Sequence, residues 1–150
     1  MDQPILPPAT IGMLGGGQLG RYALMAARTM GYRTMVLEPD PLAPAGLTAD
    51  VHLVAPYDDP DALRRLGDDC DVVTTEFENP PAVALESLAR RTLVAPSPHA
   101  VAIAQDRIAE KAFLVDTGLP VAPYAVVDDA DADPQISYPA ILKTARLGYD

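Results

Sequence analysis

Apolar residues along this chain recur with two periods, and the alternation between them predicts its architecture. Residues 10–14 form a short apolar run ended by glycines, the mark of a buried strand. From 18 to 30 the period lengthens. Leu19, Tyr22, Ala23, Ala26, Ala27 and Met30 recur at three- and four-residue spacing and predict an amphipathic helix, with Gly31 as its C′ cap. A second strand is expected over 34–37, a proline-rich loop up to Gly46, and a short third strand over 52–54. Asp59 and Pro60 read as the N-cap and first position of a helix over 60–66. A fourth strand over 72–75, a helix over 81–90 and a fifth strand from 93 follow.

Strands alternating with helices predict an α/β fold, a Rossmann-like, doubly wound parallel sheet. Right-handed crossovers then bring the loops after the first and fourth strands together at the carboxyl edge of the sheet, where ligands bind in such folds. After Pro96-Ser97-Pro98 the rhythm changes. Two helical patterns occupy 99–117 and stop at Gly118-Leu119-Pro120, and short strands are expected over 124–127 and 140–143, around an acidic loop at 128–134. These patterns divide the chain into a first domain over 1–96 and the beginning of a second over 97–150.

Charge narrows the partners. The net charge is −10, which argues against nucleic acid, since phosphate backbones call for basic stripes. Lys111 and Lys143 are the only lysines. No apolar stretch nears the roughly 20 residues a membrane span requires, and MDQPILPP lacks the layout of a signal peptide. The single cysteine, Cys70, leaves no internal disulfide, so a cytoplasmic address is expected.

The chemistry concentrates in a few places. Gly15, Gly17 and Gly20 form a G-x-G-x-x-G frame between strand and helix, where backbone N–H groups and the helix N-terminus favour an anion. A dinucleotide reading recruits Glu38, eighteen positions after Gly20, for a ribose hydroxyl; a tight turn without ligand is the plainer alternative. Glu76 and Glu78 flank Phe77, and in an extended chain both carboxylates point at the ligand edge; a solvated acidic turn fits equally well. Arg107 and Lys111 share a helix face. Lys143 ends the apolar run 138–142, and a lysine finishing a buried strand needs an anion. His52, His99 and Cys70 lack partners at metal-ligand or triad spacing.

IGMLGGGQLGRYALMAA, TTEFENPP, QDRIAEKAFL, LPVAPY and YPAILKTARLGYD, in this order, closely resemble the 5-(carboxyamino)imidazole ribonucleotide synthetases of the ATP-grasp superfamily. The resemblance runs from about residue 10 to 150. It implies a pre-ATP-grasp domain followed by the start of an ATP-grasp domain. It further implies ATP-dependent carboxylation of 5-aminoimidazole ribonucleotide by bicarbonate, through carboxyphosphate, in purine biosynthesis. Gln18 and Leu19, with Gly15 and Gly17 of the same loop, would line the ribonucleotide site, and the loop would cradle the phosphorylated substrate. Glu76 would lie near the reacting amine. Arg107 and Lys143 would contact ATP phosphates, and Gly148, Tyr149 and Asp150 would open the mobile loop over nucleotide and substrate, Tyr149 and Asp150 joining Glu76 in catalysis. Magnesium is expected as cofactor, its ligands lying beyond residue 150, and a homodimer as the assembly. The sequence departs from the family pattern at Thr144-Ala145-Arg146-Leu147, where a bulky leucine precedes Gly148. This chain alone is expected to be inactive. Three other readings stay open: another ATP-grasp enzyme, such as biotin carboxylase or formate-dependent glycinamide ribonucleotide transformylase; a non-catalytic binding module; and a nicotinamide dehydrogenase domain.

Overall fold

The computed structural model describes residues 4–129 and 135–148. The chain divides into two compact units, Met1–Val101 and Ala102–Asp150.

The first unit is a five-stranded sheet of order β3-β2-β1-β4-β5. Its strands are β1 (Thr10–Leu14), β2 (Arg33–Leu37), β3 (Val51–Leu53), β4 (Val72–Thr75) and β5 (Leu93–Val94). Every pairing is parallel, with β1 central between β2 and β4. Helix α1 (Gln18–Thr29) connects β1 to β2, α2 (Pro60–Asp69) connects β3 to β4, and α3 (Ala82–Ala89) connects β4 to β5. Successive strand residues face opposite sides of the sheet. Met13 and Val36 accordingly pack with Leu24 of α1 on one face. Leu14, Leu37 and Val73 pack with Leu66 and Leu88 of α2 and α3 on the other. The chain passes to the left of β1 and then returns to its right, and the strand order reverses between β1 and β4. A crevice opens at such a reversal.

Local signals behave as their chemistry requires. The Asp59 carboxylate caps α2 by accepting from the Ala62 N–H at 2.8 Å, with Pro60 at the first helical position. Gly31 ends α1 at φ +91°, a conformation costly for residues with a Cβ. Gly12 has a packing role: a Cβ there would lie 2.9 Å from Cys70 Sγ and from Val73, so the glycine lets β1 settle against α2. Cys70 is buried beneath it.

Two expectations are corrected. The apolar stripe predicted for α1 is buried only at Ala27: Leu19, Tyr22 and Met30 are exposed, and the helix seats Gly20 and Leu24 beside Ala27. Small residues on the inner side allow close approach to the sheet, so the seating is decided by shape as well as by hydrophobicity. The strands expected over 124–127 and 140–143 are also missing from the described residues, where neither segment is hydrogen-bonded into a ladder. Ile141 and Leu142 are more than four-fifths exposed, at 82% and 86%, so the run leading to Lys143 is not a buried strand.

In the second unit, α4 (Pro98–Ala104), which starts in the first, leads to α5 (Arg107–Asp116). Asp106 caps α5 by accepting from the Ile108 and Ala109 N–H groups at 2.9 and 3.2 Å.

Candidate functional site

The glycine frame sits where β1 hands over to α1, and the amides of its three glycines and of Gly16 between them find acceptors within the protein. Gly15 N–H donates to the Leu37 carbonyl at 3.2 Å, continuing the sheet ladder past the end of β1. Gly16 N–H donates to Glu38 Oε2 at 2.8 Å and Gly17 N–H to Glu76 Oε1 at 2.7 Å. Gly20 N–H donates to Glu76 Oε2. One carboxylate, carried from the end of β4, thus bridges the turn and the first turn of α1, where the helix dipole favours negative charge.

The glycines are required by this arrangement. Gly15 has φ +102°, and a Cβ there would lie 2.6 Å from Glu76 Cγ and 2.8 Å from the Phe77 ring. Cβ atoms on Gly17 and Gly20 would collide with the Glu76 carboxylate itself. The frame therefore attracts an anion, as expected, but the anion here is the protein's own glutamate. A phosphate would have to displace two carboxylates to reach the Gly16, Gly17 and Gly20 amides.

Glu38 ends β2 and is similarly engaged. Besides Gly16 it accepts from the Asp40 N–H at 3.0 Å and from the Tyr57 hydroxyl. A dinucleotide would need this carboxylate for its ribose diol and the loop amides for its pyrophosphate. Both are committed elsewhere, which weighs against the dehydrogenase reading. The Tyr57 ring in turn meets the Phe77 ring, with centroids 5.3 Å apart and planes inclined by 46°. Burial, followed by the Glu38 and Glu76 carboxylates, pushes the Tyr57 hydroxyl's titration upward.

Glu38, Asp40, Tyr57, Glu76 and Phe77 line a shallow depression of about 300 Å³ beside Gly16 and Gly17. Tyr57 belongs to none of the motifs, and Phe77 enters them only between two glutamates. Their signal was positional, since each follows the carboxyl end of a strand that strand order brings to the same edge. A second depression of about 330 Å³, between the end of β3 and α2, is lined by Arg64 and Arg65 but lies away from the glycine frame.

Glu76 and Glu78 do not share a face. The chain leaves the extended conformation after Thr75, whose hydroxyl donates to the Phe77 carbonyl at 2.7 Å, and Glu78 turns to accept from the Asn79 amide at 2.8 Å. Gln18 and Leu19 head α1 with exposed side chains.

In the second unit, Arg107 and Gly148 come together. Arg107 N–H donates to the Ala145 carbonyl at 2.9 Å, and a Cβ on Gly148 would lie 2.9 Å from Arg107 Nη2. Arg146 holds the same segment, donating to Gln105 Oε1 at 3.1 Å and pairing with Asp106 at 3.8 Å. Lys143 is exposed, while Lys111 lies over the Tyr124 ring at 5.0 Å. Tyr149, Asp150 and residues 130–134 of the acidic loop lie outside the described residues. Among the described residues, no three His, Cys, Asp or Glu side chains are grouped to hold a metal ion, and no helix is long and apolar enough to cross a membrane.

Residues 8–105 match the family model described as the ribonucleotide synthetase preATP-grasp domain. Over its whole length the chain is 48% identical to the N5-carboxyaminoimidazole ribonucleotide synthase of Brucella melitensis, of which it covers 43%. Among solved structures it is similar to N5-carboxyaminoimidazole synthetase from Staphylococcus aureus complexed with ADP. That match has 40% identity and a TM-score of 0.76, covering 81% of this chain and 34% of the other. It is also similar to N5-carboxyaminoimidazole synthase from Aspergillus clavatus in complex with ADP and 5-aminoimidazole ribonucleotide. There the identity is 33% and the TM-score 0.68, covering 78% of this chain and 31% of the other. The chain thus spans less than half the length of the relatives it matches. With its parallel sheet, its reversal point between β1 and β4 and its glycine frame in that crevice, the chain belongs to the ribonucleotide synthetase preATP-grasp domain family.

Proposed function

We propose that this chain is the amino-terminal part of an ATP-dependent ligase that carboxylates the exocyclic amine of 5-aminoimidazole ribonucleotide with bicarbonate, in purine biosynthesis. The observation that carries this reading is the placement of Glu76. Its carboxylate is fixed by the Gly17 and Gly20 amides at the crevice, where each oxygen keeps a further lone pair for a hydrogen-bond donor such as an amine. Likeness to a relative complexed with ADP and this ribonucleotide supports the substrate.

In this reading residues 1–96 are the pre-ATP-grasp domain and 97–150 the start of the ATP-grasp domain. Gly15, Gly17, Gln18 and Leu19 line the ribonucleotide site, and Glu76 orients the amine. Arg107, Lys143 and Gly148 hold ATP phosphates, with Tyr149 and Asp150 following in the same loop; the proximity of Arg107 to Gly148 supports that grouping. ATP supplies the phosphoryl group that activates bicarbonate. The described residues do not fit a magnesium site. The protein is read as a cytoplasmic homodimer acting on small molecules.

Calorimetric titration of the chain with 5-aminoimidazole ribonucleotide tests the reading. Binding is expected, and Gly17→Val, which drives a side chain into the Glu76 carboxylate, is expected to remove most of the heat. Binding of NADH without the ribonucleotide would overturn it in favour of a dehydrogenase.

A further inference from the structure

We propose that Tyr57 is a positioning residue: from outside the glycine motif, it sets where the turn after β1 stands relative to the loop after β4. The proposal rests on the ribonucleotide reading above and adds the side chain that holds the two halves of the crevice in register.

Main-chain hydrogen bonds carry the sheet to the brink of the site. Glu38 N–H donates to the Leu53 carbonyl at 3.1 Å, Gly15 N–H to that of Leu37 at 3.2 Å and Glu76 N–H to that of Leu14 at 3.1 Å. Past these rungs the loops are tied by side chains, and Tyr57 supplies two of the ties. Its hydroxyl donates to Glu38 Oε2, the oxygen that also accepts from Gly16 N–H. Its ring meets that of Phe77, the neighbour of Glu76 in sequence, at a centroid distance of 5.3 Å. Adjacent strands lie about 4.8 Å apart, so β3 and β4, with β2 and β1 between them, are roughly 14 Å apart. A side chain mounted after β3 thus meets the loop after β4 across the ends of two other strands.

The mount is stiff. Tyr57 lies in a turn closed by Asp59 N–H donating to the Pro56 carbonyl at 3.1 Å, and Asp59 goes on to cap α2. Tyr57 also packs against the core that holds Leu63 and Leu66 of that helix. The receiving end is tight as well. A Cβ on Gly15 would lie 2.8 Å from the Phe77 ring, so movement of that ring presses on the turn. Removing the hydroxyl takes one donor from Glu38 Oε2 and lets Glu38 and Gly16 relax together, without touching a ligand.

Two measurements on the 150-residue chain test this: the Gly16 amide resonance by NMR without ligand, and the affinity for 5-aminoimidazole ribonucleotide by calorimetry. Tyr57→Phe is expected to shift the Gly16 resonance and to weaken the ribonucleotide about tenfold, the scale of coupling between side chains in one network. Asp71→Ala is the control for a merely structural effect. It removes the carboxylate that accepts from Thr10 N–H at 2.7 Å, at the opposite edge of the sheet, and is expected to lower stability while leaving affinity unchanged. Should Tyr57→Phe fail to fold, Glu38→Gln weakens the same link from its other end and carries the same two expectations. Unchanged affinity in Tyr57→Phe overturns the proposal, as does a loss in Asp71→Ala as large as that in Tyr57→Phe. If the wild-type chain does not bind the ribonucleotide, the substrate reading falls, and the Gly16 resonance alone decides: a shift in Tyr57→Phe upholds the positioning role, and no shift overturns it.

Discussion

The Tyr57 hydroxyl donates to the Glu38 carboxylate, and this bond links the loop after β3 to the end of β2. Through Glu38 it reaches Gly16, and through its ring it reaches Phe77 after β4. Since burial and the neighbouring carboxylates raise the hydroxyl's titration, the folded state keeps its proton more tightly than the unfolded one. That contribution to stability is complete below the ordinary tyrosine value of about 10 and is lost as pH rises above it. Tyr57→Phe is expected to cost about 1 kcal/mol at neutral pH and to flatten the alkaline decline. Urea midpoints measured from neutrality to about pH 11 check both; an unchanged alkaline slope would refute the Tyr57 assignment.

Glu76 and Glu78 lie two residues apart but do different work. Glu76 holds the glycine frame, whereas Glu78 accepts from Asn79. In a full-length version, Glu76→Ala is expected to lower kcat/KM by roughly 100-fold or more, the scale for a placed polar group. Glu78→Ala should cost much less. The reverse order would shift the assignment by two residues along the chain.

Leu147 occupies the left-handed region at φ +52°, one residue before Gly148, with its side chain 73% exposed. A residue with a Cβ is strained there by about 1 kcal/mol. Leu147→Gly relieves that strain but loses some of it again to the greater freedom of glycine when unfolded, so a net gain of under about 1 kcal/mol is expected. Leu147→Val should be less stable than either, because β-branching tolerates positive φ worst. Thermal unfolding of the three proteins gives the order, and a valine variant as stable as the glycine one would remove the strain argument.

Much of the fold was legible because its signals are local. Asp59-Pro60 and Gly31 act through the few residues around them, and the glycine frame announces a strand-to-helix turn wherever it sits. The seating of α1 was not legible. Leu19, Tyr22 and Met30 outnumber the buried Leu24 on hydrophobicity, but which side of the helix meets the sheet also depends on what fits there, and Gly20 and Ala27 fit. The segments 124–127 and 140–143 mislead for a related reason: a strand requires a neighbour, and sequence preference reports only one side of that pairing.

At the site, the motif locates the residues but does not show which acceptors their amides meet within the protein. Nothing in G-x-G-x-x-G tells a phosphate from a glutamate fifty-six positions after Gly20. Only the sheet order, which sets β4 beside β1, brings Glu76 within reach. Tyr57 was overlooked for the same reason, since its role depends on four strand ends meeting.

A loop whose amides are already satisfied does not wait for a ligand to take its shape. The Glu38 and Glu76 carboxylates hold the glycine frame from within the protein, so binding orders few additional main-chain torsions and loses little conformational entropy. Association should then proceed at the pace of an ordinary rigid-body encounter. Differences in affinity among related ligands should appear chiefly as differences in how long each one stays.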